Sequence, residues 1–271
     1  MSLARERFWQ AAEWTVLRIG AGVGIAARLG LLEIKTLLVI LLFAGAAWGF
    51  AEIADEVGEG ETRSFDEAVL LAMREPGDTN DPIGPRWFEE AARDVTALGG
   101  LTVLLLVTLS SAAYMLMARR PRMALLLTLS VVGAQILSSA LKHGFARPRP
   151  DLIAHEAYVY TASFPSGHSV MAAATYLTLG ALLAQVQSRR HQKMFLLGLA
   201  MALAILVGVS RVYLGVHWPT DVLAGWTVGA GWAALIWLVA RVLQRRGLLR
   251  HASGETEIPP PSESSSSPDV T

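Results

Sequence analysis

Six stretches of the chain are apolar over lengths that meet or approach the roughly 20 residues a helix needs to cross a bilayer. They are Leu37–Ile53, Thr96–Met117, Met123–Leu141, Ser169–Val186, Met194–Val209 and Val222–Ala240. Five carry no charge, and the first holds Glu52 near its end. Buried helices of a soluble protein are also apolar, but six such stretches in one chain of this length argue against that reading. The pattern predicts an all-α, polytopic membrane protein: a six-transmembrane-helix bundle.

The polar intervals divide the rest of the chain. Phe8–Leu32 mixes Trp9, Trp14, Val16, Leu17 and Ile19 with Glu13, Arg18 and Arg28. These charges interrupt the apolar core that a cleavable signal requires. Residues 1–36 are therefore read as an amphipathic segment lying on the membrane surface, the alternative being a loosely ordered leader, and residues 37–243 as the six-span unit. Within that unit, residues 54–95 form a small exterior insert of two short helices, Phe65–Arg74 and Arg86–Val95. A turn-rich connection over Glu75–Pro85 joins them, with Pro85 just ahead of the second helix. Residues 244–271 form a tail whose Ser253–Thr271 portion is rich in Ser, Pro and Glu and is expected to be disordered.

Basic residues set the orientation, because Lys and Arg favour cytoplasmic loops. Arg5, Arg7, Arg18, Arg28 and Lys35 precede the first span; Arg119, Arg120 and Arg122 follow the second. Arg189, Arg190 and Lys193 follow the fourth, and Arg241, Arg245, Arg246 and Arg250 the sixth. In a six-span arrangement all four groups share one side. Both termini are then cytoplasmic, and the insert, Lys142–Pro165 and Arg211–Pro219 lie outside. Lys142, Arg147, Arg149 and Arg211 run against this trend, which suggests that they bind an anion.

Composition agrees with a membrane protein. The chain is 53% hydrophobic with a mean hydropathy of +0.42, and its 17% of charged residues falls below the roughly 25% usual in soluble domains. A net charge of zero gives no general attraction for nucleic acid, so none is expected as a partner. The absence of cysteine excludes disulfides, thiol catalysis and cysteine metal sites. Oligomeric state is not legible.

Three polar clusters sit at the exterior ends of spans three to six. The first runs from Lys142 to Pro150 and contains Arg147 and Arg149; the second is Pro165-Ser166-Gly167-His168. The third is Ser210-Arg211 followed by His217 and Asp221. Ser166 is placed to cap the fourth span, and Gly167 allows a ligand close to the backbone. A helix N-terminus with unpaired N–H groups suits phosphate, and His168 lies in its first turn. His217 and Asp221, four residues apart at the start of the sixth span, can face each other, so that the carboxylate fixes one imidazole nitrogen and leaves the other free to attack. Arg149 and Arg211 offer planar forks for phosphate oxygens and Lys142 a point charge. A histidine–aspartate pair with a second histidine is also compatible with a metal site, but the surrounding cations repel a metal and attract a phosphate. No metal or cofactor is expected.

Together the clusters read K-x6-R-P over Lys142, Arg149 and Pro150, then P-S-G-H over Pro165 to His168, then S-R-x5-H-x3-D over Ser210, Arg211, His217 and Asp221. In this the chain resembles the type 2 phosphatidic acid phosphatase superfamily, over about its last four spans. The resemblance implies a membrane hydrolase of lipid phosphates or pyrophosphates, such as undecaprenyl pyrophosphate, phosphatidic acid or phosphatidylglycerol phosphate. It implies His217 as nucleophile, Asp221 as its orienting carboxylate and His168 as acid and base. Lys142, Arg149, Ser166, Gly167 and Arg211 would hold the phosphate. A lipid phosphotransferase would use the same intermediate. A vanadium haloperoxidase shares the motif pattern, but those enzymes are typically soluble. A transporter or scaffold with a degenerate site is the non-enzymatic alternative. Arg147 lies outside the motif and is read as a residue at headgroup level, the other option being a second phosphate contact. The insert carries no inherited meaning.

Overall fold

A computed structural model describes residues 34–150 and 162–245. The amphipathic segment, apart from residues 34–36, and the Ser-rich tail lie outside the described residues. Eight helices and one hairpin follow in order: α1 (Ile34–Glu59), α2 (Arg63–Leu71), β1 (Arg74–Glu75), β2 (Asp78–Pro82), α3 (Arg86–Ala97), α4 (Leu101–Met117), α5 (Pro121–Gly144), α6 (Gly167–Val186), α7 (Arg190–Tyr213) and α8 (Pro219–Arg245). Five of them, α1, α5, α6, α7 and α8, are long and apolar enough to cross a membrane, and the bent pair α3–α4 makes a sixth candidate.

The second span differs from its sequence reading. The apolar run from Thr96 breaks at Gly99–Gly100, and α3 and α4 meet at 52°. Close packing fixes the break. A Cβ at Gly99 would lie 2.4 Å from Val207 Cγ1 and 3.2 Å from His168 Cβ, so the chain there is pressed against the start of α6 and the middle of α7. The insert also differs. Its first helix spans Arg63–Leu71 in place of Phe65–Arg74, because Arg74 turns inward to donate to the Tyr213 carbonyl at 2.9 Å and begins a strand. The expected turn-rich connection contains an antiparallel hairpin, with Glu75 paired to Asp78 across Gly77 at φ 98°.

The bundle is organised around α6, which packs against α5, α7 and α8; α1 lies on α8, α4 on α5, and α3 on α7. In the α6 span 67% of residues are buried, against 11% in α1. Small residues permit this, as they do between membrane helices generally. Ala172, Ala173 and Ala174 are buried on α6, and Gly180 meets α7 where an added Cβ would be 2.8 Å from Ala200 Cβ. Polar side chains tie the helices where water is excluded. Ser130 and Thr178 share a hydrogen bond of 2.9 Å, Trp232 Nε1 donates to the Ser130 carbonyl at 2.8 Å, and Trp226 Nε1 donates to the Ala204 carbonyl at 2.9 Å. Leu38, Leu41, Leu105, Leu109, Met194 and Phe195 remain exposed on the outer faces, where lipid is the natural solvent.

Candidate active site

Alternating helix direction gathers four helix ends at one end of the bundle. Lys142 lies in the last turn of α5, His168 in the first turn of α6, Arg211 in the last turn of α7 and Asp221 in the first turn of α8. The extended segment after α5 brings Arg147 and Arg149 to the same place. A backbone bond from Ser166 N–H to the Asp221 carbonyl, 2.9 Å, joins the starts of α6 and α8. Phe50 of α1 stacks on Phe164 with ring centres 5.9 Å apart, and both contact Phe145, giving the site one apolar wall.

His217 is buried in the connection between α7 and α8. Its Nδ1 lies 3.3 Å from Asp221 Oδ2 and 3.3 Å from Ser163 Oγ, while Nε2 lies 3.3 Å from an Arg149 guanidinium nitrogen. A guanidinium can only donate, so Nε2 accepts and Nδ1 carries the proton towards Asp221. The lone pair of Nε2 therefore points into the cluster of cations. Burial pushes the His217 pKa down to about 4; Asp221 opposes the shift and Arg211 and Arg149 add to it. The imidazole is thus neutral at neutral pH, as a nucleophile must be.

Asp221 is fully buried and saturated with donors. Oδ1 accepts from Arg147 at 2.7 Å; Oδ2 accepts from the Trp218 N–H at 3.0 Å, from the Ser163 hydroxyl and from His217. Arg149 also donates to the Val216 carbonyl at 2.7 Å, Lys142 Nζ to the Ala162 carbonyl at 3.1 Å, and Arg211 to Thr96 Oγ1 at 3.2 Å. The Arg211 Nε is buried with no partner among the described residues. His168 is half-buried within electrostatic reach of Arg211, His217, Lys142 and Arg149. Gly167 lies against Lys142, where an added Cβ would be 3.4 Å from Cε. The structure thus brings together Lys142, Arg149, Ser166, Gly167, His168, Arg211, His217 and Asp221. Ser166 occupies the N-cap position of α6 but makes no capping bond through its side chain; its hydroxyl accepts from Ser169 at 3.0 Å.

Arg147 corrects its sequence reading. It does not face outward: its side chain is 14% exposed and pairs with Asp221 and Asp66, both at 2.7 Å. The reason is local geometry. Arg147 reaches Asp66 of α2 and Asp221 of α8, whereas Arg149 reaches the Val216 carbonyl and His217. Asp66, Ser163, Thr220 and Trp218 were also unmarked as site residues. Asp66 stands beside a second acidic residue, Glu67, in the stretch Phe65–Leu71, and its partner Arg147 is 81 residues away, so nothing local singled it out.

A helical bundle with an imidazole–carboxylate pair and four basic side chains gathered at one end defines a multi-pass membrane protein with a buried, cation-rich cluster. The PAP2 superfamily model matches residues 123–245. Phosphatidylglycerophosphatase B of Bacillus subtilis is 34% identical over 187 residues, which cover 66% of this chain and 85% of that protein. Undecaprenyl-diphosphatase of Sulfolobus acidocaldarius is 33% identical over 148 residues, 50% and 68% of the two chains. The crystal structure of a transmembrane PAP2-type phosphatidylglycerolphosphate phosphatase from Bacillus subtilis superposes with a TM-score of 0.66 at 31% identity, covering 75% of this chain and 98% of that one. The chain belongs to the PAP2 superfamily.

Proposed function

We propose that this protein is an integral membrane phosphatase that hydrolyses a lipid phosphate or pyrophosphate through a phosphohistidine at His217. The observation that carries the reading is the placement of His217 Nε2. It is a neutral nitrogen whose other ring nitrogen is fixed by Asp221, and it opens towards Arg149.

In the first step Nε2 attacks phosphorus in line, the N–P bond forms, and the bond from phosphorus to the lipid oxygen breaks. His168 gives its proton to that oxygen. In the second step His168 takes a proton from water, the water oxygen attacks phosphorus, and the N–P bond breaks to release phosphate and restore His217. Lys142, Arg149, Arg211, the Ser166 hydroxyl and the Gly167 N–H hold the equatorial oxygens and stabilise the charge that develops there. The cations that surround the site do this without a metal. Among the described residues no three His, Asp or Glu side chains are grouped to hold one.

The test is hydrolysis by purified protein of phosphatidylglycerol phosphate, undecaprenyl diphosphate and phosphatidic acid, each with excess EDTA and with no added acceptor. Phosphate release from at least one is expected, undiminished by EDTA. Activity that EDTA abolishes and Mg²⁺ or Zn²⁺ specifically restores would contradict the mechanism, and release that requires a lipid acceptor would make the protein a phosphotransferase.

The basic clusters support a cell-membrane orientation with both termini in the cytoplasm and the site on the exterior or periplasmic face. A lipid then enters sideways with its tails still in the bilayer. The chain has no cysteine, so Asn80→Cys, on the exposed hairpin, reports sidedness. Labelling in intact cells by an impermeant maleimide is expected; labelling only after the membrane is breached would invert the orientation.

A further inference from the structure

Asp66 belongs to α2 of the insert, far in sequence from every motif residue, yet it is fully buried against the site. Its Oδ1 accepts from the Thr220 N–H at 2.9 Å, one of the unpaired donors at the start of α8. Its Oδ2 accepts from the Thr220 hydroxyl and from Arg147 Nη2, both at 2.7 Å. Arg147 in turn donates through Nη1 to Asp221 Oδ1 at 2.7 Å and to Thr220 Oγ1 at 2.8 Å. Its guanidinium carbon sits 5.7 Å from the centre of the Trp218 ring. One planar cation therefore bridges two buried carboxylates, and the second of these orients His217.

We propose that Asp66 is a positioning residue for phosphoryl transfer, acting through Arg147 and Asp221 on His217. This rests on the phosphohistidine reading above. Charge decides the role of Asp66. When Nε2 bonds to phosphorus the imidazole becomes cationic, and the carboxylate behind it must stabilise that charge. Arg147 paired with Asp221 alone would cancel most of the field the carboxylate exerts. Asp66 supplies a second negative charge, so Asp66, Arg147 and Asp221 together retain a net charge of −1 behind the ring. The fork geometry of the guanidinium also fixes where Asp221 Oδ1 lies. The insert is thus part of the catalytic architecture, a role beyond that of an exterior cover.

Asp66→Asn tests this. The amide can keep an acceptor for the Thr220 N–H while removing the charge facing Arg147. Because Asp66 does not touch the substrate, kcat should fall by roughly 10- to 100-fold, with KM changed by less than about twofold. In an Arg147→Met background the same substitution should cost less than about threefold, because its route to Asp221 is gone. Thermal unfolding of each variant in detergent separates this from a loss of stability. An unchanged kcat in folded Asp66→Asn, or an equal loss with and without Arg147, would overturn the proposal. If Asp66→Asn does not fold, Arg147→Lys decides. It keeps the charge but cannot bridge both carboxylates, so kcat should fall at constant KM, and an unchanged kcat overturns the proposal. His217→Ala is run alongside. Full activity there would sink the phosphohistidine reading itself, whereas an inactive His217→Ala with a normal Asp66→Asn would sink only the role of Asp66.

Discussion

A His168→Ala variant should form the phosphoenzyme from nitrophenyl phosphate nearly as fast as the parent protein, yet about 10²–10⁴-fold more slowly from a lipid monoester. The two leaving groups differ in one respect that matters. An alkoxide departing from a lipid needs a proton in the transition state, whereas a nitrophenolate leaves with little help. His168 stands in the first turn of α6 beside the proposed phosphate-binding N-terminus, and the groups acting on it are Arg211, His217, Lys142 and Arg149. His217 by contrast has Asp221 at 3.3 Å behind Nδ1. His217→Ala should therefore form no phosphoenzyme with either substrate. Single-turnover, rapid-quench measurements separate the two roles. Loss of both substrates in His168→Ala, with phosphoenzyme still formed in His217→Ala, would reverse the assignment.

The second large effect lies outside the motifs. Gly225, less than two turns into α8, faces the start of α6. A Cβ there would stand 2.7 Å from Ser169 Cβ, 2.9 Å from the Ser166 carbonyl oxygen and 3.3 Å from the Val170 nitrogen. Two of these are backbone atoms that cannot swing aside, so α6 and α8 must move apart. The same helix ends carry Ser166, Gly167 and His168 on one side and Asp221 on the other. Overpacking of this kind costs about 1–3 kcal/mol, and a displacement of about 1 Å between catalytic groups can cost ~10²-fold in rate. Gly225→Val should thus lower both the unfolding temperature and kcat, the latter by roughly 10²-fold. Gly198→Ala on α7, where an added Cβ meets nothing within 4 Å, is the control and should change neither. A Gly225→Val variant with parental kcat would show that the two helix ends need not stay in register.

The spans were legible because a bilayer demands long apolar runs, and helices α1, α5, α6, α7 and α8 cover the expected stretches with a turn or so added at their ends. The bend between α3 and α4 was not legible. The sequence stays apolar through Leu98–Leu101, and the break depends on Val207 and His168 pressing on Gly99 from other helices. The motif residues could be grouped in advance because their spacing places them at helix ends, and antiparallel neighbours bring alternate ends together. The carboxylate partners of Arg147 were not legible because one of them, Asp66, is a residue of the insert that no spacing rule connects to it. Ser163 was missed for a similar reason: a lone serine ahead of a proline has no local mark, and its bonds to Asp221 and His217 arise only when the start of α8 folds over it.

In the proposed mechanism phosphate passes through His217. The most direct measurement quenches the purified protein with ³²P-labelled lipid phosphate in the first turnover, digests it under alkaline conditions that preserve phosphohistidine, and maps the label. Label is expected on the peptide containing His217, none in His217→Ala, and label retained when water attack is slowed by His168→Ala with a nitrophenyl ester. Label on His168, or full hydrolysis with no labelled histidine at any time point, would contradict it.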